Sequence, residues 1–223
     1  MSPYVEAAPS GMTSGASHRA HRDFLDAYYG WARPIYDVTR KHYLLGRDRT
    51  LRELLDEPWS TLVEVGAGTG RNLELLHAAR PGARFGALEP STPMREHLAR
   101  RCAFARVRDG FAEDLDYGSF FEGSAPDRIL FSYSLSMMQD PEGALRNARR
   151  SLATGGEVVV VDFGDLHGVP RRVQRLFRRW LASFHVTPVD RALLQRERGR
   201  VSEGPLGYYR IVRLPPLRWP SRA

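Results

Sequence analysis

The chain has little that would divert a reading from an ordinary globular protein. Cys102 is its one cysteine, so an intrachain disulfide is excluded, and so is a zinc site built on several thiolates. That reads as a reducing compartment. No segment approaches the ~18 consecutive apolar residues of a membrane span, and residues 1–20, rich in Ala, Ser, Gly and Pro, hold no apolar run of signal-peptide length. The expectation is a cytoplasmic protein with a disordered tail over 1–20. No internal repeat is found, which excludes a solenoid or propeller.

Positive charge, in contrast, is abundant. Lys and Arg number 33 against 26 Asp and Glu, a formal net charge of +7, so an anionic partner is the class of interaction to consider. The hydrophobic fraction of 42% over 223 residues is that of one domain, which at this size hides roughly 70% of its unfolded surface. A single domain is expected over 21–223, with helices in 21–57 ahead of an α/β core in 58–223.

Aromatic and apolar residues recur at helical spacing from Phe24 through Leu25, Tyr28, Trp31, Ile35, Tyr36, Thr39 and Tyr43, with Pro34 dividing them into two short helices. Arg47 to Leu55 reads as a further helix. Thr61 to Val65 then reads as a strand that ends in a glycine-rich turn, followed by a helix from Arg71 to Ala79. The unit repeats. A strand over Arg84 to Leu88 precedes a helix capped by Ser91 with Pro93 near its start, running to Arg101. Weaker strand character over Ala103 to Val107 is followed by strands over Ile129 to Tyr133 and Glu157 to Phe163, with a helix from Pro141 to Leu152 between them. The last strand carries the unbroken apolar run Val158 to Val161. Strands alternating with helices, some apolar on both faces, predict a doubly wound, mostly parallel sheet with helices on each side.

The turn reads Glu64-Val65-Gly66-Ala67-Gly68-Thr69-Gly70. Its glycines leave no side chain where a ligand must touch backbone, and the following helix offers its N-terminal amides to the turn. In a dinucleotide fingerprint the third glycine comes one residue later, where this chain has Arg71, so a pyrophosphate binder is disfavoured. Glu89 ends the next strand, where an acid can accept hydrogen bonds from both ribose hydroxyls.

This spacing resembles the first motif of class I methyltransferases, E-x-G-x-G-x-G, which cradles the amino-acid and ribose part of S-adenosylmethionine. The resemblance implies that Glu64, Gly66, Ala67, Gly68, Thr69, Gly70, Asn72, Glu89 and Ser132 hold that donor, with S-adenosylhomocysteine as product and no metal ligands. Phe111 to Leu115 resembles the family stretch Asp-Ala-Glu-Asp-Leu, with Phe111 where an adenine-facing aspartate often stands. Ala112 and Glu113 are then the candidates at the adenine end, against the alternative of a surface acidic turn.

Further segments resemble the diacylglyceryl-homoserine N-methyltransferases of bacterial betaine-lipid synthesis. They are Ile35 to Arg40, Leu45 to Arg49, Gly68 to Leu73, Phe131 to Met137, Val161 to Asp165 and Phe184 to Pro188. The resemblance implies three methyl transfers to a lipid-borne amine. The chain departs from that family's pattern in its adenine segment and in a short, arginine-rich end after Pro188.

An attacking amine must be neutral, and the positive nitrogen it becomes is well met by aromatic faces. Tyr133, at a strand end over the methyl site, and Tyr36, covering the donor from an N-terminal helical lid, are the candidates for that role. Tyr28 and Trp31 are further candidates for the lid, and core packing is the alternative for each. His185 is either a proton acceptor or a structural histidine. Asp162 and Asp165 are either acceptor contacts or turn formers.

On a helical wheel from Pro170 to Phe184, Arg171, Arg172, Arg175, Arg178 and Arg179 fall within an arc of about 120°. Val173, Leu176, Phe177, Trp180, Leu181 and Phe184 lie opposite. Such a helix either packs its apolar side on the sheet or lies in an anionic membrane surface, and the fold favours packing. The competing functions are a lipid-amine methyltransferase touching the inner membrane surface, a methyltransferase of another small-molecule or phospholipid amine, an RNA methyltransferase, and a non-enzymatic lipid-binding scaffold. Nucleic acid is disfavoured by the lack of an Asn/Asp-Pro-Pro-Tyr motif and of an added RNA-binding module. The oligomeric state stays open.

Overall fold

A computed structural model describes residues 44–183, 186–189 and 199–217. The expected N-terminal helices with Tyr28, Trp31 and Tyr36, and His185, lie outside these residues. The strands are β1 (Thr61–Val65), β2 (Arg84–Leu88), β3 (Ala105–Arg108), β4 (Arg128–Ser132), β5 (Glu157–Phe163), β6 (Arg200–Glu203) and β7 (Tyr209–Leu214). The helices are α1 (Arg47–Leu55), α2 (Arg71–Ala79), α3 (Thr92–Arg101), α4 (Pro141–Arg150) and α5 (Arg171–Ala182). They build a seven-stranded sheet of order β3-β2-β1-β4-β5-β7-β6, parallel from β3 to β5 and antiparallel where β7 joins β5 and β6. The doubly wound sheet read from the sequence is what forms.

Successive strand side chains point to opposite faces, so the central strands supply two cores at once. Val63, Ile129, Phe131, Val158 and Val160 join Tyr117, Phe120, Leu145 and Ala148 on one side. Leu62, Leu130 and Val159 join Leu51, Leu54, Leu73, Leu76 and Leu98 on the other. Val158 to Val161 is apolar throughout because β5 is covered on both faces. Local chemistry ends the helices where expected: Asp140 caps α4 by accepting from Gly143 N at 2.8 Å, and Pro141 stands at its first turn. The C-terminal end of α1 is closed from a distance. Arg80 donates to Leu55 O at 2.8 Å and Glu57 O at 2.9 Å while its guanidinium lies 4.4 Å from the Trp59 ring centroid, so orphan carbonyls are satisfied by a side chain from after α2.

The β6–β7 hairpin is absent from the sequence reading, which took the chain after Pro188 as an arginine-rich end. Arg210 and Arg213 made β7 look polar, yet both are buried because carboxylates meet them. Arg213 lies 2.8 Å from Glu57 and 2.7 Å from Glu157, and Arg210 lies 2.8 Å from Glu203 and 2.7 Å from Asp165. Burial alone would raise Asp165, but Arg210 and His167 outweigh it and hold its carboxyl at about 2. Asp165 is thus the anchor of a turn that ties β5 to the hairpin.

Candidate active site

The strand order reverses between β1 and β4, so the loops leaving their carboxyl ends turn to opposite sides and open a crevice there. That crevice is lined by Leu44, Arg47, Glu64, Gly66, Ala67, Gly68, Thr69, Arg71, Asn72 and Ser132. The glycine loop forms its floor. Gly66 N and Ala67 N donate to Leu88 O at 2.8 and 3.2 Å, which fastens the loop across the end of β2. Gly66 has φ of 70°, and a Cβ there would come within 2.6 Å of Ser134 Cβ. Gly70, at φ of 82°, starts α2, and a Cβ there would meet Leu98 and Cys102 of the neighbouring helix at 2.6 Å. These two positions require glycine for backbone conformation and for space at once.

Glu64 and Leu62 share one face of β1, the face that α2 crosses, so Glu64 meets the first turn of that helix. Asn72 Nδ2 donates to Glu64 Oε1 at 2.6 Å. The carboxyl is 1% exposed, and burial pushes it up to about 8, against the Asn72 hydrogen bond and the Arg47 charge, which hold it down. Arg47 enters from α1 and is also buried. Burial first, then the charge of Arg71, lowers its pKa. Four buried polar atoms here find no hydrogen-bond partner among the described residues: Glu64 Oε2, Arg47 Nε, Asn72 Oδ1 and Ser132 Oγ. Leaving each unmade costs about 1–3 kcal/mol, more for the charged ones. Their concentration in one crevice marks a place where a ligand completes the bonding.

Glu89 stands where the sequence placed it, at the end of β2 and buried. Its carboxylate accepts from Gly68 N at 2.8 Å and Ser91 N at 3.0 Å, tying the glycine loop to the start of α3. Ala112 is buried with its carbonyl accepting from Asn147 at 2.8 Å, and neither Ala112 nor Glu113 lines the crevice.

Tyr133 follows β4 with φ of 55°, a strained conformation for a bulky residue. It is buried, donates its hydroxyl to Leu45 O and stands edge-on to Phe163 with centroids 4.7 Å apart. Burial, then the Asp162 charge, raises its pKa. The ring therefore clips the start of α1, and so Arg47, to the end of β4. Asp162 is buried and accepts from Ser136 N at 2.9 Å and Phe163 N at 2.8 Å. Burial pushes it to about 6, with those amides holding it down. It shapes the loop after β4 rather than lining the crevice.

Leu44, Arg47 and Arg71 were not singled out as site residues from sequence. Arg47 lay in the segment Leu45 to Arg49 and Arg71 in Gly68 to Leu73, which matched a family pattern without any indication of a role for either, and Leu44 lay in neither. A larger cleft opens at the amino ends of the strands, lined among others by Glu57, Arg128, Glu157 and Arg200. Its charges pair with one another, Arg128 with Glu57 at 3.2 Å and Arg200 with Glu157 at 3.1 Å. It also lies opposite the end where parallel α/β sheets bind ligands. Among the described residues no group of three or more His, Cys, Asp or Glu is placed to hold a metal.

A family of methyltransferase domains matches residues 63–158, a segment that runs from within β1 through the glycine loop and β2 to β4 and ends at the start of β5. An uncharacterized protein of Mycobacterium tuberculosis is 32% identical over 146 residues, 65% of this chain and 45% of the relative. The chain thus spans less than half of that relative. An uncharacterized methyltransferase of Anoxybacillus flavithermus is 27% identical over 150 residues, 63% of this chain and 68% of the relative. In fold, the chain is similar to magnesium protoporphyrin IX methyltransferase of Synechocystis, solved with bound S-adenosylhomocysteine. The TM-score is 0.60 at 13% identity, over 87% of this chain and 97% of the other.

Proposed function

We propose that the chain binds S-adenosylmethionine in the β1/β4 crevice and transfers its methyl group to an amine. The carrying observation is the set of unsatisfied atoms on Arg47, Glu64, Asn72 and Ser132, which fits the zwitterionic amino-acid end of that donor. Arg47 would take the carboxylate. Glu64, desolvated and beside a neutral amide, would take the ammonium, and Glu89 would accept from the ribose hydroxyls. When bound, the donor supplies a methyl group carried on a positively charged sulfur. The chain's part is alignment and exclusion of water, because an in-line displacement needs a fixed approach more than covalent help.

The acceptor in this reading is a lipid-borne amine of the diacylglyceryl-homoserine kind, supported by the resemblance of Leu45 to Arg49, Gly68 to Leu73 and Phe131 to Met137. In this reading Tyr133, the residue after Ser132 of the crevice, serves the developing cation, while Tyr36 and His185 stay candidates for cover and proton removal. Calorimetry with S-adenosylmethionine, followed by transfer to diacylglyceryl-homoserine read by product mass, tests both halves. Binding plus increments of one to three methyls is the expected result. No binding removes the donor site; binding with no increment on the lipid removes the acceptor. Tyr133→Phe is expected to cost about 1 kcal/mol through the lost Leu45 hydrogen bond and to keep most turnover, whereas Tyr133→Ala loses it. Equal turnover in all three proteins takes Tyr133 out of the site.

A further inference from the structure

We infer that α5 is an interfacial anchor that seats the carboxyl edge of the sheet on an anionic lipid bilayer. The sequence favoured a helix packed by its whole apolar side. The structure packs only part of that side: Leu181 is buried and Phe177 half-buried, while Val173, Leu176 and Trp180 are 47%, 69% and 37% exposed. At ~100° per residue the helix divides into three sectors. Gln174, Phe177 and Leu181 face the protein. Val173, Leu176 and Trp180 form a solvent-facing apolar strip, and Arg171, Arg172, Arg175, Arg178 and Arg179 form an exposed basic arc beyond it. The helix has no acidic residue, and no carboxylate among the described residues pairs with any of these arginines.

An apolar strip bordered by arginines is complementary to a surface with a hydrocarbon interior and anionic headgroups. Leu176 borders the basic arc and Trp180 lies within the strip between Leu176 and Val173, a ring apolar in body and polar at one edge that suits the headgroup region. A nucleic acid would answer the arginines but leave Leu176 in water. The surroundings extend the same face. Leu206, 60% exposed, tips a turn whose carbonyl accepts from Gly168 N at 3.1 Å, just before α5.

The position also suits a bilayer-borne acceptor. Tyr133 contacts Phe163 at 4.7 Å, and Phe163 contacts Phe177 at 6.1 Å and Trp180 at 6.5 Å, a continuous aromatic path from the crevice rim to the exposed strip. The inference deepens the lipid-amine reading, but its test needs no turnover. The full chain is sedimented, without donor or acceptor, with vesicles of equimolar phosphatidylglycerol and phosphatidylcholine and with phosphatidylcholine alone. Binding at least about tenfold tighter to the anionic vesicles is expected, with slowed hydrogen exchange confined to α5 and the Leu206 turn. Arg172→Gln, Arg175→Gln and Arg179→Gln together should abolish the preference. Val173→Ser with Leu176→Ser should weaken binding about fivefold or more, and donor affinity should be unchanged in both variants. Equal binding to the two vesicle types, wild-type sedimentation of both variants, exchange protection elsewhere only, or retardation of RNA without vesicle binding would each overturn the anchor. Vesicle binding without methyl transfer would overturn the chemistry and leave the anchor standing.

Discussion

Glu64→Gln is expected to stabilise the unliganded protein at pH 8.5 and to weaken S-adenosylmethionine binding. The carboxyl, ordinarily at 4.5, is raised to about 8 in the fold, first by burial and further by the Glu89 charge, with Asn72 and Arg47 opposing. Between those values the native state keeps a proton that the unfolded chain has released, so native binds more protons and stability falls as pH rises. The loss is complete above about 8 and amounts to an order of 3–5 kcal/mol. A glutamine at this position carries no charge to bury. Its melting temperature should match wild type near pH 4.5 and exceed it by several degrees at pH 8.5.

Donor binding moves the other way. An ammonium beside Glu64 Oε2 makes a charge-assisted hydrogen bond worth about 1.5–3 kcal/mol, so the glutamine variant should bind about 10- to 100-fold more weakly. Saturating donor should also flatten the alkaline loss of stability in wild type. Melting curves at the two pH values, with calorimetry at neutral pH, read both effects. A variant no more stable at pH 8.5, with unchanged affinity, would remove Glu64 from the donor site and leave its burial unexplained.

Gly66→Ala is the second large effect. An alanine at φ of 70° pays about 1–2 kcal/mol for the left-handed backbone, and its Cβ meets Ser134 Cβ at 2.6 Å. Ser134 cannot yield freely, because its hydroxyl donates to Val65 O at 2.7 Å inside the core. Relief therefore breaks that bond or lifts the loop from Leu88 O. The combined cost is expected at ~3 kcal/mol or more, a drop of roughly 10 °C in melting temperature. Donor binding should vanish with it, since the loop is the crevice floor. Gly82→Ala is the control: a Cβ there meets nothing within 4 Å. Equal stability of the two variants would mean that the loop is not held as the structure holds it.

Asp162 adds a slope of the same sign, being raised by burial from 3.8 to about 6. Asp165 adds one of opposite sign, since its depressed carboxyl contributes stability above 3.8 that is lost as pH falls through about 2. Wild type without donor should therefore be most stable in mildly acid solution and decline toward pH 8.

The elements legible in the sequence were those whose signal is local. Thr61–Val65, Arg71–Ala79, Arg84–Leu88 and Glu157–Phe163 form with the expected bounds because glycine turns, proline and apolar runs mark them within a few residues. The strand expected over Ala103 to Val107 forms at Ala105–Arg108, four residues with only Ala105 and Val107 apolar, too short a pattern to fix its bounds. The β6–β7 hairpin was illegible because β7 buries Arg210 and Arg213 against carboxylates that lie far away in the chain. The apolar side of α5 was overread for a related reason: periodicity shows that a side exists, but not how much of it a neighbour covers.

The sequence by itself determined the glycine loop, the acid that closes it and the alternation that builds a parallel sheet, because backbone conformation and strand parity are decided by neighbours in the chain. Only the tertiary structure decided that Arg47 completes the crevice with Glu64. It also decided that the Tyr133 hydroxyl holds Leu45 and that Val173, Leu176 and Trp180 stay partly exposed. Each of these depends on what lies across a strand crossing or against a helix face, and burial is set by those distant partners.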